Sequence, residues 1–451
     1  MKIFGQDVEI LKSMLANILS YIVSKYVPSH LSKLLPQCPV EEVDDDVISR
    51  DTSRTKCISI GRPGGLEQLR VVVLKKGIMT CGYNIKHFCP PPFTPDMDCT
   101  KIPSNCVVLK NKAFSVNYAD CTIRWGLYES AKRFVGYPIV PGFDIAAEIE
   151  AVGEAEGSNK DDNNNNPLGD DEFKVGDKVF GCTLFGAYSN RVLVPKAQLR
   201  KIPSGLSLEQ AASLPAVSLT ALYALFLAGH FPSSPPPPQG AQYSNRSILI
   251  HSAAGGVGSM LVQMSKILGL HPIVGVVGSS SKVDVAKKLG CDVVLDKSDD
   301  DDDVWERANQ IVPNGFKTIM DANGISTLKQ SYDHLAPTGR LIVFGFHSNL
   351  PMGKHMLSPW EWIKMAKKMN QMPSFDPMDL TVENKSVMGF NLSFFADEIE
   401  LVGMLFDTIV QWLNEGMLQC PNIQTFEMEE IGKAHTLIQS GSSVGKIVIR
   451  C

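Results

Sequence analysis

The sequence predicts an α/β protein in which a β-rich region is combined with a doubly wound parallel sheet. Two observations support this class. Between Cys57 and about Pro203, short apolar runs are separated by glycine-rich turns, which is typical of a barrel or sandwich. After about Leu206, buried-strand runs alternate with helical patterns, which indicates a parallel sheet with helices on both faces. A final run, Val444–Ile449, returns to β character.

The β-rich region is predicted from its apolar runs. We expect strands at Cys57–Ile60, Leu69–Leu74 and Cys106–Val116, with a glycine-rich turn at Gly61–Gly65. Polar or proline-rich stretches of low complexity are typical of surface insertions and not of a core. Three such stretches are predicted to be loops: Cys89–Asp98, Glu154–Asp171 and Phe231–Arg246.

The region after Leu206 supplies the parallel sheet. Its predicted strands are Ser247–His251, Ile273–Val277, Val293–Leu295, Thr318–Asp321 and Arg340–Gly345. Its predicted helices are Leu208–Ser213, Leu219–Ala228, Val257–Leu268 and Ser281–Leu289.

Residues 1–50 form an arm and linker in this interpretation. Apolar residues at an alternating four-three spacing predict an amphipathic helix over residues 3–26, with Pro28 as its stop. The acidic run Glu41–Asp46 is typical of a solvated linker. Two interpretations of the helix stay open: a docking or dimerisation element, or a helix on a membrane surface, which its mixed charges disfavour.

Composition excludes several classes of protein. The 451 residues carry a net charge of −5 without a dense basic block, which disfavours nucleic-acid binding. The eleven cysteines include no Cys-x-x-Cys pair, so neither a secreted disulfide framework nor a zinc ribbon is indicated. No stretch reaches the roughly 18 apolar residues of a membrane span. We therefore expect a soluble, cytoplasmic protein, with peripheral contact to an organelle membrane as an alternative through residues 3–26.

The most specific local motif is a strand that runs into a glycine turn and then a helix, Ser247–Gly258. Ala253, Gly255 and Gly258 occupy the three positions of the dinucleotide fingerprint, with alanine in place of the first glycine. A turn without side chains lets a pyrophosphate approach the amides at a helix N-terminus. The predicted cofactor contacts in this turn are Ala254, Gly255, Gly256 and Val257.

The choice of cofactor is predicted at the end of the second strand. NAD is usually bound there by an acidic residue, whereas this chain has Gly278-Ser-Ser-Ser-Lys282 about 20 residues beyond Gly258. The hydroxyl of Ser279 and the ammonium of Lys282 suit a 2′-phosphate, which favours NADPH. The alternative for Lys282 is an ordinary solvated charge at a helix start.

Several motifs in register give the chain, from about Cys57 to its C-terminus, a resemblance to the medium-chain dehydrogenase/reductase superfamily. Its quinone oxidoreductase branch is similar at Asn117–Asp120, Gly126–Tyr128, Val140–Asp144, Lys174–Val179 and Ala253–Gly258. Within that zinc-independent branch, the chain resembles most the vesicle amine transport protein subgroup, through Val387–Leu392, Glu398–Leu401 and Val444–Val448.

The resemblance implies two domains with an active site in the cleft between them. A GroES-like catalytic domain would comprise residues 51–203 and 391–451, and a Rossmann-type NADPH-binding domain residues 204–390. Superfamily members that oxidise alcohols ligate zinc at the positions of Asn117 and Gly142–Asp144, where this chain lacks the cysteine and histidine ligands. No metal is therefore expected.

Without a Lewis acid, the substrate has to be electrophilic itself, as quinones and α,β-unsaturated carbonyls are. The resemblance implies three catalytic-site residues. Asn117 would lie next to the nicotinamide, Tyr128 would present a substrate-site hydroxyl, and Asp120 would hold the loop or its neighbours. The alternatives are a turn-forming asparagine for Asn117 and a half-buried core aromatic for Tyr128.

Further cofactor contacts follow from family positions. Thr220 is expected to begin a helix that faces the nicotinamide, Asn323 to follow the strand ending at Asp321, and Phe344 and Phe346 to close over the ring. Lys297 stands where many relatives have a tyrosine near the adenosine phosphate; whether it binds phosphate or belongs to the acidic loop Asp299–Asp303 stays open.

The first functional hypothesis is an NADPH-dependent, zinc-independent reductase of quinones or α,β-unsaturated carbonyls. The second is an NADPH-binding interaction or lipid-binding protein with little turnover, and a third is NADPH-dependent sensing. Relatives commonly pair through their nucleotide-binding domains, which suggests a homodimer, although the sequence leaves the oligomeric state open.

Overall fold

The computed structural model describes residues 40–41, 55–74, 79–80, 102–153, 173–231, 246–299, 303–347, 367, 370–394 and 398–451. The predicted N-terminal helix and the insertions at 89–98 and 154–171 lie outside these residues, as do residues 232–245 of the third insertion. In the described part, no helix is long and apolar enough to cross a membrane.

The β-rich region forms two sheets. Its strands are β1 (Val40–Glu41), β2 (Lys56–Ile60), β3 (Leu69–Leu74), β4 (Met79–Thr80), β5 (Cys106–Val116), β6 (Asp144–Val152), β7 (Lys178–Cys182), β8 (Arg191–Pro195) and β9 (Leu199–Lys201). Strands β1, β3 and β2 form a small sheet, and a larger sheet contains β5, β6, β7 and β9 as neighbours, with β8 paired to both β4 and β5. The predicted bounds of Leu69–Leu74 and Cys106–Val116 are confirmed.

The following region forms a parallel six-stranded sheet. Its strands are β10 (Ile248–His251), β11 (Ile273–Val277), β12 (Val293–Asp296), β13 (Phe316–Asp321), β14 (Leu335–Val343) and β15 (Ser386–Gly389). Their order is β12-β11-β10-β13-β14-β15, and every neighbouring pair is parallel. The strand order reverses beside β10, which carries the glycine motif, and such a switch point is where doubly wound sheets bind ligands.

The C-terminal segment returns to the first region. Strands β16 (Ile423–Glu427) and β17 (Lys446–Arg450) extend the larger β-rich sheet, because β17 pairs antiparallel with β5. This pairing confirms the β character predicted for Val444–Ile449. It also brings Lys446 next to the end of β5 across more than three hundred intervening residues.

The helices pack against both sheets. They are α1 (Tyr118–Arg124), α2 (Glu129–Phe134), α3 (Leu208–Ala212), α4 (Pro215–Leu227), α5 (Gly256–Ile267), α6 (Val283–Leu289), α7 (Val304–Ile311), α8 (Leu328–Asp333), α9 (Pro377–Glu383), α10 (Ile399–Asn414) and α11 (Ile431–Gln439).

The start of α4 differs from the prediction. The helix begins at Pro215 and not at Leu219, because proline is well suited to a first helical turn and continues the apolar run. The expectation that Thr220 begins this helix is therefore wrong. Thr220 lies in the second turn, where its hydroxyl donates a 2.6 Å hydrogen bond to the Ala216 carbonyl.

One apolar core joins the two sheets. Buried residues of α4 and α5 pack in the same cluster as Ala146 and Phe180 of the β-rich sheet. Helix α10 completes it, with the rings of Phe180 and Phe406 centred 5.1 Å apart. The cleft between the two sheets therefore has a packed floor.

Candidate active site

A cavity of about 1550 Å³ lies between the parallel sheet and the β-rich sheet. Its walls include residues that follow strands β5, β10, β11 and β13 and residues of the C-terminal segment. Pockets for a single small ligand usually measure about 300–1,000 Å³. The cavity therefore has room for a cofactor and a second molecule.

The glycine turn forms one wall of the cavity. Strand β10 ends at His251, Ser252 adopts a left-handed conformation with φ of 57°, and α5 begins at Gly256. A Cβ atom on Gly258 would lie 2.1 Å from the Ser252 carbonyl oxygen, so a side chain does not fit at this position. The predicted contact residues Ala254, Gly255, Gly256 and Val257 all line the cavity.

His251 is a cavity residue that the sequence analysis did not single out. It is 1% exposed, and its Nε2 lies 3.1 Å from the Ser331 hydroxyl. Its Nδ1 has no hydrogen-bond partner among the described residues, although the side chain lines the cavity. Burial lowers the pKa of His251, which keeps the ring neutral near pH 7. The sequence could have pointed to His251 as a cavity residue, because it directly precedes the glycine turn.

The end of β11 carries the residues predicted to select the cofactor. Gly278 and Lys282 line the cavity, and the Ser279 hydroxyl lies 3.0 Å from that of Ser281. Lys282 Nζ donates a 2.6 Å hydrogen bond to the Gly441 carbonyl, in the loop between α11 and β17. Burial lowers the pKa of Lys282. Lys282 is thus half-buried and links the two walls, unlike a freely solvated lysine.

Lys297 also lines the cavity, so its side chain is placed at the cleft. Burial lowers the pKa of its ammonium, and the Asp321 carboxylate opposes this effect. Asp321 itself is fully buried and accepts hydrogen bonds from the Asn323 and Gly324 amides and from two hydroxyls. Those bonds fix the turn that presents Asn323.

The remaining predicted cofactor residues meet at the same cavity. Asn323 Oδ1 accepts a 3.2 Å hydrogen bond from the Ser252 hydroxyl, which ties the β13 turn to the glycine turn. Phe344 and Phe346 follow strand β14 and line the cavity, with Phe346 48% exposed at the rim. Thr220 lines it from α4.

The opposite wall holds Asn117 in a buried polar network. Its Oδ1 accepts a 2.7 Å hydrogen bond from Lys446 Nζ, and its Nδ2 donates a 2.8 Å hydrogen bond to Asp144 Oδ2. An ammonium requires an acceptor and a carboxylate a donor, so the orientation of the Asn117 amide is fixed. Asn117 also lines the cavity.

Lys446 and Asp144 form a buried ion pair within this network. Their side chains are 4% and 0% exposed, and Nζ lies 3.3 Å from Oδ2. Lys446 Nζ also lies 3.3 Å from the Val116 carbonyl oxygen, so its three N–H groups have three acceptors. The Asp144 carboxylate further accepts from the Ser115 hydroxyl and, at 2.6 Å, from the Ala216 amide in the first turn of α4.

Asp120 lies behind the cavity wall. It is fully buried, and its carboxylate accepts hydrogen bonds of 2.8 Å from the backbone N–H of Asn117 and 3.0 Å from the backbone N–H of Gly142. Burial raises the pKa of Asp120 to about 7, against the opposing effects of the Asn117 amide and the Lys446 ammonium. This geometry positions the backbone of Asn117 and does not present the carboxyl group to a ligand.

Tyr128 lines the cavity close to the segment after β15. Its hydroxyl donates a 3.1 Å hydrogen bond to Asn391 Oδ1 and lies 3.1 Å from the Ser393 hydroxyl. Its ring packs against Phe143, with centroids 6.0 Å apart. Tyr128 is therefore half-buried as a core aromatic would be, and the residue still lines the cavity.

Family comparisons agree with this two-domain arrangement. Residues 103–204 match the alcohol dehydrogenase GroES-like domain, and residues 256–407 match the zinc-binding dehydrogenase family. The chain belongs to the medium-chain dehydrogenase/reductase superfamily. In this chain, the cavity lies between the GroES-like, β-rich region and the Rossmann-type parallel sheet.

The chain is also similar to individual proteins and to solved structures. The chain is 30% identical over 348 residues to the synaptic vesicle membrane protein VAT-1 homolog of Danio rerio, covering 77% of this chain and 64% of that protein. It is 28% identical over 346 residues to the quinone oxidoreductase of Pseudomonas aeruginosa, covering 76% and 90%. A quinone oxidoreductase structure from Pseudomonas syringae superposes with a TM-score of 0.65 at 25% identity, covering 88% and 100%.

Proposed function

We propose that this protein is an NADPH-dependent oxidoreductase that reduces quinones or α,β-unsaturated carbonyl compounds without zinc. One observation carries the proposal: a single cavity joins a glycine turn suited to a dinucleotide with a fixed amide, Asn117, on the opposite wall. Similarity to the Pseudomonas aeruginosa quinone oxidoreductase and to a 2-haloacrylate reductase of a Burkholderia species supports it.

The cavity walls fit a dinucleotide. The turn before α5 excludes a side chain at Gly258 and presents backbone amides at the start of a twelve-residue helix, which suits a pyrophosphate. Nδ1 of His251, which has no hydrogen-bond partner among the described residues, offers a further polar contact beside that turn. When bound, NADPH would supply the hydride.

The preference for NADPH rests on the cationic end of the cavity. Lys282 and Lys297 both line it, and neither is paired with a carboxylate through a hydrogen bond in the described residues. The Gly441 carbonyl is an uncharged acceptor, so a phosphate is a stronger partner for the Lys282 ammonium. Ser279, the other residue predicted to bind the 2′-phosphate, is not among the residues that line the cavity, and its hydroxyl lies 3.0 Å from that of Ser281.

On the opposite wall, the chain's own residues stabilise negative charge on the acceptor. One N–H of the Asn117 amide is bound to Asp144, which leaves the second N–H to donate to an acceptor oxygen. Lys446 has no spare N–H group but places a positive charge behind that amide. Tyr128 lines the same cavity, but its hydroxyl hydrogen is already donated to Asn391 Oδ1, so Asn117 is the donor to the acceptor oxygen.

The donor set around Asp144 does not fit zinc. Zinc prefers thiolate, imidazole and carboxylate ligands, and among the described residues no three of His, Cys, Asp and Glu are grouped to hold a metal. The carboxylate oxygen Oδ2 already accepts from Ser115, Asn117 and Lys446. A dication there would also meet the ammonium of Lys446.

The test uses purified full-length protein and follows the loss of NADPH absorbance with a quinone and with an alkenal as acceptors. We expect turnover with at least one of them, a preference for NADPH over NADH, and no effect of a chelator. Loss of activity with EDTA that zinc restores would contradict the zinc-independent mechanism.

A second candidate function is that of a low-turnover NADPH-binding protein that contacts lipid or a partner. The similarity to VAT-1 homologs, which are described as synaptic vesicle membrane proteins, and the amphipathic spacing over residues 3–26 favour it. Liposome co-sedimentation of the full-length chain and of a chain starting at Asp51 tests the membrane contact. Binding that disappears with the truncation supports it, and equal binding of both contradicts it.

A further inference from the structure

Part of the cavity wall is apolar, and we call this part the apolar arm. It is lined by Leu184, Ala197, Leu219, Ile399, Val402 and Phe406. Leu184, Leu219 and Phe406 are 5%, 3% and 2% exposed, whereas Ala197, Ile399 and Val402 are partly exposed, so one side of the arm is buried and the other is closer to the surface. Its walls come from the loop after β7, from α4, from α10 and from the short turn Lys196–Gln198.

Helix α10 turns one face toward the arm. Ile399, Val402 and Phe406 recur at the spacing that places side chains on the same side of a helix. Met404, on another side of the same helix, is 41% exposed. The arm is therefore bordered by a defined helix face.

The base of the arm is rigidly held. The guanidinium of Arg200 donates a 3.2 Å hydrogen bond to the Gly403 carbonyl and lies 5.4 Å from the centre of the Phe406 ring. On the other side, that ring packs on Phe180. Because α10 is fixed to the β-rich sheet at this point, packing of the described residues maintains the arm.

The length of the arm follows from the sheet. Asn117 follows β5, whereas Ala197 and Gln198 directly precede β9, and the strands between them are ordered β5-β6-β7-β9. Three steps at the usual spacing between strands amount to about 14 Å. With C–C bonds of about 1.5 Å, an extended alkyl chain advances about 1.3 Å per carbon, so this distance accommodates roughly ten carbons.

A dinucleotide does not account for the arm. Its phosphates and riboses require polar partners, and those partners lie at the glycine turn, at Lys282 and at Lys297. The arm instead presents aliphatic and aromatic side chains, which gain free energy by burying an apolar ligand.

We propose that the apolar arm binds the alkyl chain of the acceptor, so that the substrates are long-chain α,β-unsaturated ketones or aldehydes. This inference rests on the proposed function for the chemical step. The conjugated carbonyl lies at Asn117 and Tyr128, and the alkyl chain extends past Leu219 toward Gln198. A hydride from NADPH forms a C–H bond at the β-carbon while the C=C π bond breaks, and a proton from water adds to the α-carbon, giving NADP⁺ and a saturated carbonyl compound.

The kinetic test is a series of 1-alken-3-ones from four to about twelve carbons. We expect kcat/KM to rise by up to about fourfold for each methylene that the arm buries, and to level off when the arm is full. A series in which kcat/KM does not depend on chain length overturns the inference.

A matched pair of variants locates the effect. Val402→Trp fills the arm from α10, so we expect the dependence on chain length to be lost. Met404→Trp places the same residue on the exposed side of the helix and should keep the wild-type dependence. If Val402→Trp does not fold, Ile399→Trp replaces it. Equal dependence on chain length in the two variants overturns the assignment.

A binding measurement separates this inference from the proposed function. Saturated 2-alkanones of four to twelve carbons are titrated by calorimetry into protein saturated with NADPH. A Kd that improves with chain length, without turnover of any alkenone or quinone, overturns the reductase function and keeps the arm. Turnover with kcat/KM and Kd both independent of chain length overturns the arm and keeps the function.

Discussion

The two walls of the cavity are built in different ways. The nucleotide wall is made of backbone that is contiguous in sequence, since the strand, turn and helix from Ile248 to Ile267 supply it together. The opposite wall depends on Asn117, Asp144 and Lys446, which come from three separate strands or strand ends and meet through a buried ion pair. The first wall is therefore a local feature of the chain, and the second exists only in the folded protein.

The largest expected loss of stability comes from removing the buried ion pair of the opposite wall. Lys446→Met leaves the Asp144 carboxylate buried without its cation, which should reduce the free energy of unfolding by about 3–5 kcal/mol. It also releases the Asn117 amide, so kcat should fall together with stability. Urea denaturation and steady-state kinetics measure the two effects.

The control for Lys446→Met is Lys433→Met. Lys433 is 71% exposed and pairs with Glu430 at 2.8 Å on the surface, where an ion pair contributes about 0–1 kcal/mol. A double variant, Lys446→Met with Asp144→Leu, should recover part of the lost stability because no buried charge stays unpaired. Equal stability of Lys446→Met and wild type would mean that the network does not hold this wall together.

A smaller effect is expected on the nucleotide wall. In Gly258→Ala, the new Cβ conflicts with the Ser252 carbonyl, so the turn has to shift, at a cost of about 1–3 kcal/mol. The same shift should raise the Kd for NADPH about tenfold or more. Gly432→Ala is the matched control, because no atom of the described part of the chain lies within 4 Å of a Cβ at that glycine. Fluorescence titration with NADPH and thermal denaturation compare the two variants.

This difference also explains what the sequence could predict. The strand Ile273–Val277 and the glycine turn were predicted correctly because their signals are local: apolar runs and residues that permit a tight turn. The start of α4 was missed because a proline in the first turn resembles a helix breaker in the sequence. In each case, the outcome depended on a few neighbouring residues.

The residues of the opposite wall are harder to predict from the sequence. Asn117 was identified through a resemblance, and Lys446 was noted as part of a motif but was not recognised as a site residue. A lysine that opens an apolar strand requires a buried anionic partner, which was the available signal. Its partner, Asp144, lies about three hundred residues earlier, and a single sequence contains no information on that pairing.

The third prediction concerns Lys282 and the preference of the nucleotide wall for NADPH over NADH. Lys282→Ala should weaken NADPH binding by about 1.5–3 kcal/mol, the range for a hydrogen bond to a charged group, and should affect NADH little. Lys288→Ala, at an exposed position of α6, the helix that follows Lys282, serves as control. Calorimetric titration with both cofactors decides the outcome. Equal losses for NADPH and NADH would exclude Lys282 as the residue that selects the phosphate.

The smallest effect, taken per pH unit, concerns Asp120, whose carboxylate accepts a hydrogen bond from the backbone N–H of Asn117. Burial raises the pKa of Asp120 to about 7 in the folded protein, above its unfolded value near 3.8, so the folded state binds the proton more tightly. The contribution of Asp120 to stability is therefore fully present below about pH 4 and is lost as pH rises toward 7. Between these two pKa values the slope should approach about 1.4 kcal/mol per pH unit.

Asp120→Asn removes the titrating group, so its free energy of unfolding should lack this slope, although the loss of one hydrogen bond to Asn117 or Gly142 lowers stability at every pH. Urea denaturation of both proteins between pH 4 and 8 measures the difference in slope. Parallel profiles would show that Asp120 is already ionised at low pH. In that case, burial destabilises the Asp120 carboxylate less than its partners stabilise it; these are the backbone N–H groups of Asn117 and Gly142 and the Lys446 ammonium. Two buried carboxylates, Asp120 and Asp144, would then hold the opposite wall in place.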